Sequence, residues 1–137
     1  MSAETQKSAV HRLISEAQVA GKLDVVDELL ADDFVDHSPL PGLPPTREGV
    51  KMLFAGMRAA FPDLQIRVDE QVADGEKVVT RKTFQGTHRG EFIGIAGTGR
   101  PIAFEVIDVL TFRGDRIAEH RVVFDRMTLM QQLGAMG

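Results

Sequence analysis

The chain contains no cysteine, tryptophan, tyrosine or asparagine. Without cysteine there are no disulfides, no thiolate metal ligands and no thiol nucleophile. Basic charge is also short: 16 Lys and Arg stand against 20 Asp and Glu, a net charge of −4 that leaves no footprint for nucleic acid. No apolar run approaches the roughly 18 residues of a membrane span, and the first ten residues, MSAETQKSAV, lack a signal-peptide core. The expectation is a cytoplasmic protein with no membrane partner. Catalytic signatures are missing as well, since there is no G-x-S-x-G, no P-loop and no H-E-x-x-H. The glycine-rich stretch Gly94–Gly99 precedes a strand pattern and cannot aim a helix terminus at a pyrophosphate. His11, His37, His88 and His120 have no metal-ligand spacing, so no metal or cofactor is expected.

What is present is ordinary for a globular domain: 43% apolar and 26% charged residues in 137, enough for one domain over residues 1–137. Val10, Leu13, Ile14, Ala17 and Ala20 fall at helical spacing before Gly21, and Leu23, Val26, Leu29 and Leu30 mark a second, short helix. Asp32–His37 reads as a brief extended piece. Ser38–Pro45 holds four of the six prolines and is irregular. Thr46 is an N-cap for a third helix carrying Val50, Leu53, Phe54, Met57 and Phe61, which Pro62 ends. From Leu64 the period changes to two. A strand runs to a turn near Gly75, and Lys77–His88 follows as the next. With Gly75-Glu76 as the central pair, Val79, Arg81 and Thr83 share a face with Val68 and Val72; with Asp74-Gly75 they do not. Arg89–Arg100 is a long connection with its own apolar residues, Phe92, Ile93 and Ile95, as expected of a lid over a pocket. A short helix from about Arg126 to Leu133 ends the pattern. Helices followed by a run of strands imply an α+β layer, with helices covering a curved antiparallel sheet around a cone-shaped hollow.

The organising element is the hairpin Ile102–Phe112 and Arg116–Phe124 around Gly114-Asp115. Regular pairing sets Phe112 against Ile117, Asp108 against Arg121 and Phe104 against Asp125 on one face. Ile107, Val109, Val122, Phe124 and His120 then lie on the other. Both faces are largely apolar, so one is expected to meet the helices and the other, bearing Ile107, Val109, Val122 and Phe124, a second subunit in a homodimer.

Asp125 closes the last strand at the mouth of the hollow. Withdrawn from water, its carboxyl would rise in pKa and move protons near neutrality; as N-cap of the last helix it would stay ionised. Asp108 and Arg121 read as a cross-strand ion pair. His120 reaches Asp125 only if the strand carries a bulge, and otherwise sits at a subunit interface. The candidates are therefore Asp125 and His120 for catalysis, and His37, Arg81, Asp108, Arg121 and Phe92 for binding substrate.

Four segments then carry a resemblance. Thr87–Pro101 (THRGEFIGIAGTGRP), Arg113–Asp125 (RGDRIAEHRVVFD) and Gln131–Gly134 (QQLG), with Asp36–Pro39 (DHSP), resemble the SnoaL-like polyketide cyclases of the NTF2-like superfamily, relatives of the ester cyclases. The resemblance implies an α+β cone and ring closure of a small carbonyl substrate by intramolecular aldol condensation, without metal or cofactor. It implies an aspartate at the end of the last strand, here Asp125, as acid and base; in the enzyme reading built on it, His37, Arg81 or Arg121 holds the enolate. Where such sequences usually have E-H-W, this chain has Glu119-His120-Arg121. Two other readings stand beside it. An epoxide hydrolase of the limonene type would use an Asp–Arg–Asp relay, which Asp108, Arg121 and Asp125 mimic, but it positions water with Tyr and Asn, both missing here. A non-catalytic small-ligand-binding dimer is the third.

Overall fold

The computed structural model describes residues 1–135 of the chain. Ser2 caps the first helix, α1 (Ala3–Arg12), by accepting from Thr5 N–H. The helix runs on as a π-helical segment, Leu13–Val19, in which Ala20 N–H donates to Ser15 O, one residue further back than in an α-helix. That extra residue turns the apolar stripe. Leu13, Ile14, Ala17 and Gln18 are buried, whereas Ala20, expected on the stripe, is exposed. Gly21, with φ of +82°, ends the segment. Then come α2 (Asp24–Leu29), β1 (Leu30–Asp36) and α3 (Arg47–Ala60), the last capped by Thr46 as expected.

The remaining elements are β2 (Gln65–Asp74), β3 (Lys77–Thr87), β4 (Pro101–Arg113), β5 (Arg116–Phe124) and α4 (Arg126–Gln132). The sheet order is β1-β5-β4-β3-β2. Its four long strands are antiparallel, and β1, the brief extended piece of the sequence, adds a fifth strand parallel to β5. The helices cover one face. Val10, Leu13, Ile14, Val26, Phe34, Phe54, Leu110, Phe112 and Ile117 fill one end of the space between, and Met57, Phe61, Phe84, Phe92, Phe104 and Leu129 the other. Among the described residues, no helix is long and apolar enough to cross a membrane.

The first hairpin turn takes Gly75-Glu76, one of its two alternatives, with Asp74 opposite Lys77, and the second falls where expected, with Arg113 opposite Arg116. Each hairpin then slips by one residue. In β2 the slip lies between Val68 and Glu70; in β5 Ala118 is extra, so Phe112 faces Ile117 but Thr111 faces Glu119. Such bulges reverse the faces of everything beyond them. Asp108 therefore pairs with Val122, not Arg121, and Val106 with Phe124. His120, Val122 and Phe124 point inward, while Arg121 and Val123 point outward.

The connection from β3 to β4 is held at its base by Gly99 N–H on His88 O and by Arg89 N–H on Ala60 O, at 2.7 and 2.8 Å. A Cβ at Gly97 would collide with the carbonyl of Arg89. Buried His88 accepts the Thr98 N–H on Nδ1 at 3.2 Å, and its ring centroid stands 5.7 Å from that of Phe61.

Candidate active site

Between the helices and the sheet lies a cavity of about 360 Å³ with mostly apolar walls. Four of its charged groups form a belt across adjacent strands, with Asp36 at the end of β1, His120 on β5, Asp108 on β4 and Lys82 on β3; Gln18, Ser38 and Arg126 complete the polar lining. Asp36 Oδ1 accepts from Ser38 N–H at 2.9 Å and lies 3.1 Å from His120 Nδ1. His120 Nε2 stands 3.8 Å from Asp108 Oδ2, an ion-pair distance too long for a hydrogen bond. Lys82 Nζ donates to that same oxygen at 2.8 Å. Asp108 is 3% exposed and Lys82 5%, and Asp108 Oδ1 has no partner among the described residues.

Electrostatics assigns the charges. Burial would raise the Asp108 carboxyl, but the Lys82 ammonium and the His120 ring outweigh it and hold it below the usual carboxylate range. Burial likewise works against the Asp36 anion, and the His120 contact and the Ser38 N–H bring it down. For His120, burial lowers the value, but contacts with Asp108 and Asp36 reverse that and leave it raised. A neutral ring donating from Nδ1 to Asp36 would turn a bare Nε2 toward a carboxylate, which disfavours the neutral form. Two anions and two cations thus form a belt without net charge in a largely apolar space.

Of the expected site residues, Asp108, His120 and Phe92 line this cavity. Phe92 is buried edge-on against Phe61 at 5.2 Å, so it is wall and core together. The others are elsewhere. Asp125 is exposed and caps α4, accepting from Thr128 N–H at 3.1 Å and from the Thr128 hydroxyl at 2.6 Å. The Thr128 hydroxyl and then its N–H hold the Asp125 carboxyl below the usual range, the opposite of what inward placement requires. Arg121 is turned outward by the bulge at Ala118, so the Asp108–Arg121 pair and the Asp108–Arg121–Asp125 relay are not assembled. Arg81 lies on the outer face between Glu70 and Glu105, at 3.0 and 3.1 Å. His37 Nε2 is 2.8 Å from Glu119 on that same side.

Five polar members of the lining lie outside the expected set: Lys82, Asp36, Gln18, Ser38 and Arg126. Alternation from Val78 through Thr80 to Phe84 carries the signal for Lys82, because those neighbours are all buried. Gln18 reaches the cavity from the π-helical segment, its Nε2 meeting, among the described residues, the Met57 sulfur at 3.7 Å, a weak acceptor.

A family model described as SnoaL-like polyketide cyclase matches residues 8–133. The aklanonic acid methyl ester cyclase DnrD of Streptomyces peucetius is 27% identical over 133 residues, spanning 95% of this chain and 91% of that protein. Two solved structures superpose along nearly the whole length. TsrD from Streptomyces laurentii gives a TM-score of 0.91 at 25% identity, covering 99% of both chains. Wild-type IdmH from Streptomyces antibioticus gives 0.80 at 35% identity, covering 93% of this chain and 97% of that one.

Proposed function

The chain belongs to the SnoaL-like polyketide cyclase family and has the NTF2-like cone of such cyclases, and from that premise we propose an enzyme that closes a ring by intramolecular aldol condensation. Its substrate is a small polyketide- or ester-like carbonyl compound, and the chemistry uses neither metal nor cofactor. The observation that carries this reading is the neutral belt of Asp36, His120, Asp108 and Lys82 in an apolar cavity, with one carboxylate oxygen unpartnered. Asp108, ionised, takes the proton alpha to the carbonyl. His120, protonated and held by Asp36, supplies the proton to the second carbonyl as the carbon–carbon bond forms. In this assignment the acid–base role expected of Asp125 passes to Asp108 and His120. A panel of β-dicarbonyl esters, with epoxides as controls, tests it. The protein should speed exchange of α-protons for deuterium in D₂O, followed by NMR, and yield cyclised product. Ligands that bind in the cavity without exchange or product would leave a binding protein.

The same proposal includes a homodimer, through a corrected face. Val122 and Phe124 line the cavity, so the outward patch is Val72, Val79, Ile107, Val109 and Val123, with Val123 77% exposed. Arg81 and Arg121 flank it together with Glu70 and Glu105, a mixture of signs that a second copy can match across a two-fold axis. Val123→Glu should halve the mass measured by sedimentation while the circular dichroism stays unchanged. A folded variant of unchanged mass would put the interface elsewhere.

A further inference from the structure

Within the belt, Lys82 is the one charged group to which acid–base work by Asp108, His120 and Asp36 gives no task; Arg126, the other cation of the lining, is exposed at the start of α4. Its ammonium carries three N–H donors, and among the described residues a single hydrogen bond, to Asp108 Oδ2 at 2.8 Å, is made. The Phe84 ring, with Nζ 5.5 Å from its centroid, covers another side without offering an oxygen. Burying an ammonium with donors to spare is costly, so the position calls for an acceptor that the protein does not supply. Beside it, Asp108 Oδ1 is buried and calls for a proton donor. A cation short of acceptors next to a carboxylate short of a donor matches the two ends of an enolisation: the oxygen that gains charge and the carbon that loses a proton.

Resting on the acid–base reading above, we propose that Lys82 holds the enolate oxygen of a 1,3-dicarbonyl substrate while Asp108 takes the proton between the two carbonyls. The C–H electron pair becomes the C=C bond, and the carbonyl π pair moves to the oxygen, which accepts from Lys82. Asp108 becomes neutral in the same step, so the ammonium exchanges one anion for another and the charge of the cavity does not change. That exchange is realised in the transition state and is absent from the ground state, the condition for an interaction to accelerate the step. The enolate carbon then attacks a second carbonyl of the same molecule. Its oxygen receives the His120 proton, and the proton on Asp108 restores His120, so no atom is gained or lost. The roles expected for His37, Arg81 and Arg121 at the enolate fall to Lys82, the buried cation of β3.

A phenol probe reads this site without turnover. The ring of 2-naphthol suits the apolar walls, and its neutral and ionised forms differ in absorbance and fluorescence. On the wild-type protein and on Lys82→Arg, the ionisation constant of bound 2-naphthol should rise by a factor of about ten or more, the effect of an adjacent cation. Asp108→Asn, which frees Lys82, should raise it further. Lys82→Met/Asp108→Asn removes both charges, leaves neither buried alone, and should bring the constant down to its solution value or below, since burial disfavours the naphtholate. A bound probe that stays neutral on both wild type and Asp108→Asn overturns the proposal, as does failure of millimolar 2-naphthol to bind. The two readings fail separately. Deuterium exchange with a neutral bound phenol removes the role of Lys82 alone. An ionised phenol on a protein that exchanges no dicarbonyl removes the acid–base reading and leaves the oxyanion site standing.

Discussion

Asp108→Asn is expected to lower the rate of α-proton exchange by about 10²–10⁴-fold, the usual contribution of a positioned general base. The change keeps the shape of the side chain and removes its capacity to take a proton. It also strips Lys82 and His120 of the anion between them. Removing one partner of a buried ion pair costs about 3–5 kcal/mol, so the melting temperature should fall together with the rate. Asp125→Asn is the matched control. Asn ranks with Asp as a helix cap and can accept the same Thr128 N–H, so neither rate nor melting temperature should move appreciably. The two variants differ by one carboxyl each, one inside the cavity and one outside. Loss of exchange in Asp125→Asn with retention in Asp108→Asn would return the chemistry to the end of β5.

The elements themselves were readable because their signals are local. Proline at 62, threonine at 46 and glycines at 75 and 114 act within a few residues, and the caps and turns stand where these residues predict. The inward set of β4, from Ile102 to Phe112, follows from alternation alone. What alternation alone did not show is which face several side chains take, and in three places an inserted residue decides it. The π-helical segment brings Gln18 inward, the slip after Val68 sets Val68 opposite Lys82 instead of beside Arg81's face, and the bulge at Ala118 exchanges Arg121 for His120. A bulge leaves only two adjacent buried residues, here Ile117 and Ala118, and a small residue such as alanine is compatible with either face. Since one slip reverses a whole strand, a local ambiguity becomes a global error in the site. Asp125 illustrates a different difficulty. Capping and catalysis both call for an aspartate before a helix, and only the direction of the chain at Phe124 decides between them.

His120→Leu should produce the largest change in how stability depends on pH. The folded protein holds His120 protonated above its usual value of 6.5, so the stabilisation from this proton is complete below that pH. It is lost as pH rises through the higher folded value. Asp36 and Asp108 have folded values below the usual 3.8, so their stabilisation is present above that pH and is lost as pH falls through the depressed values. The belt is therefore at full strength in the mildly acidic window between 3.8 and 6.5, and the wild-type melting temperature should decline on its alkaline side. Leucine fills the space of the ring but leaves Asp36 and Asp108 facing each other without the cation between them. Truncation of one member of a buried charge cluster costs about 3–5 kcal/mol where the remaining charges are ionised. Protonating those carboxylates relieves the repulsion, so the variant should lose most near neutrality and least toward acid. Melting curves recorded from about pH 4 to pH 9 should show the optimum displaced toward acid and the decline above 6.5 reduced. Curves that run parallel to the wild type would mean that His120 is neutral in the folded protein, and the proton donor of the proposed condensation would have to be sought elsewhere in the belt.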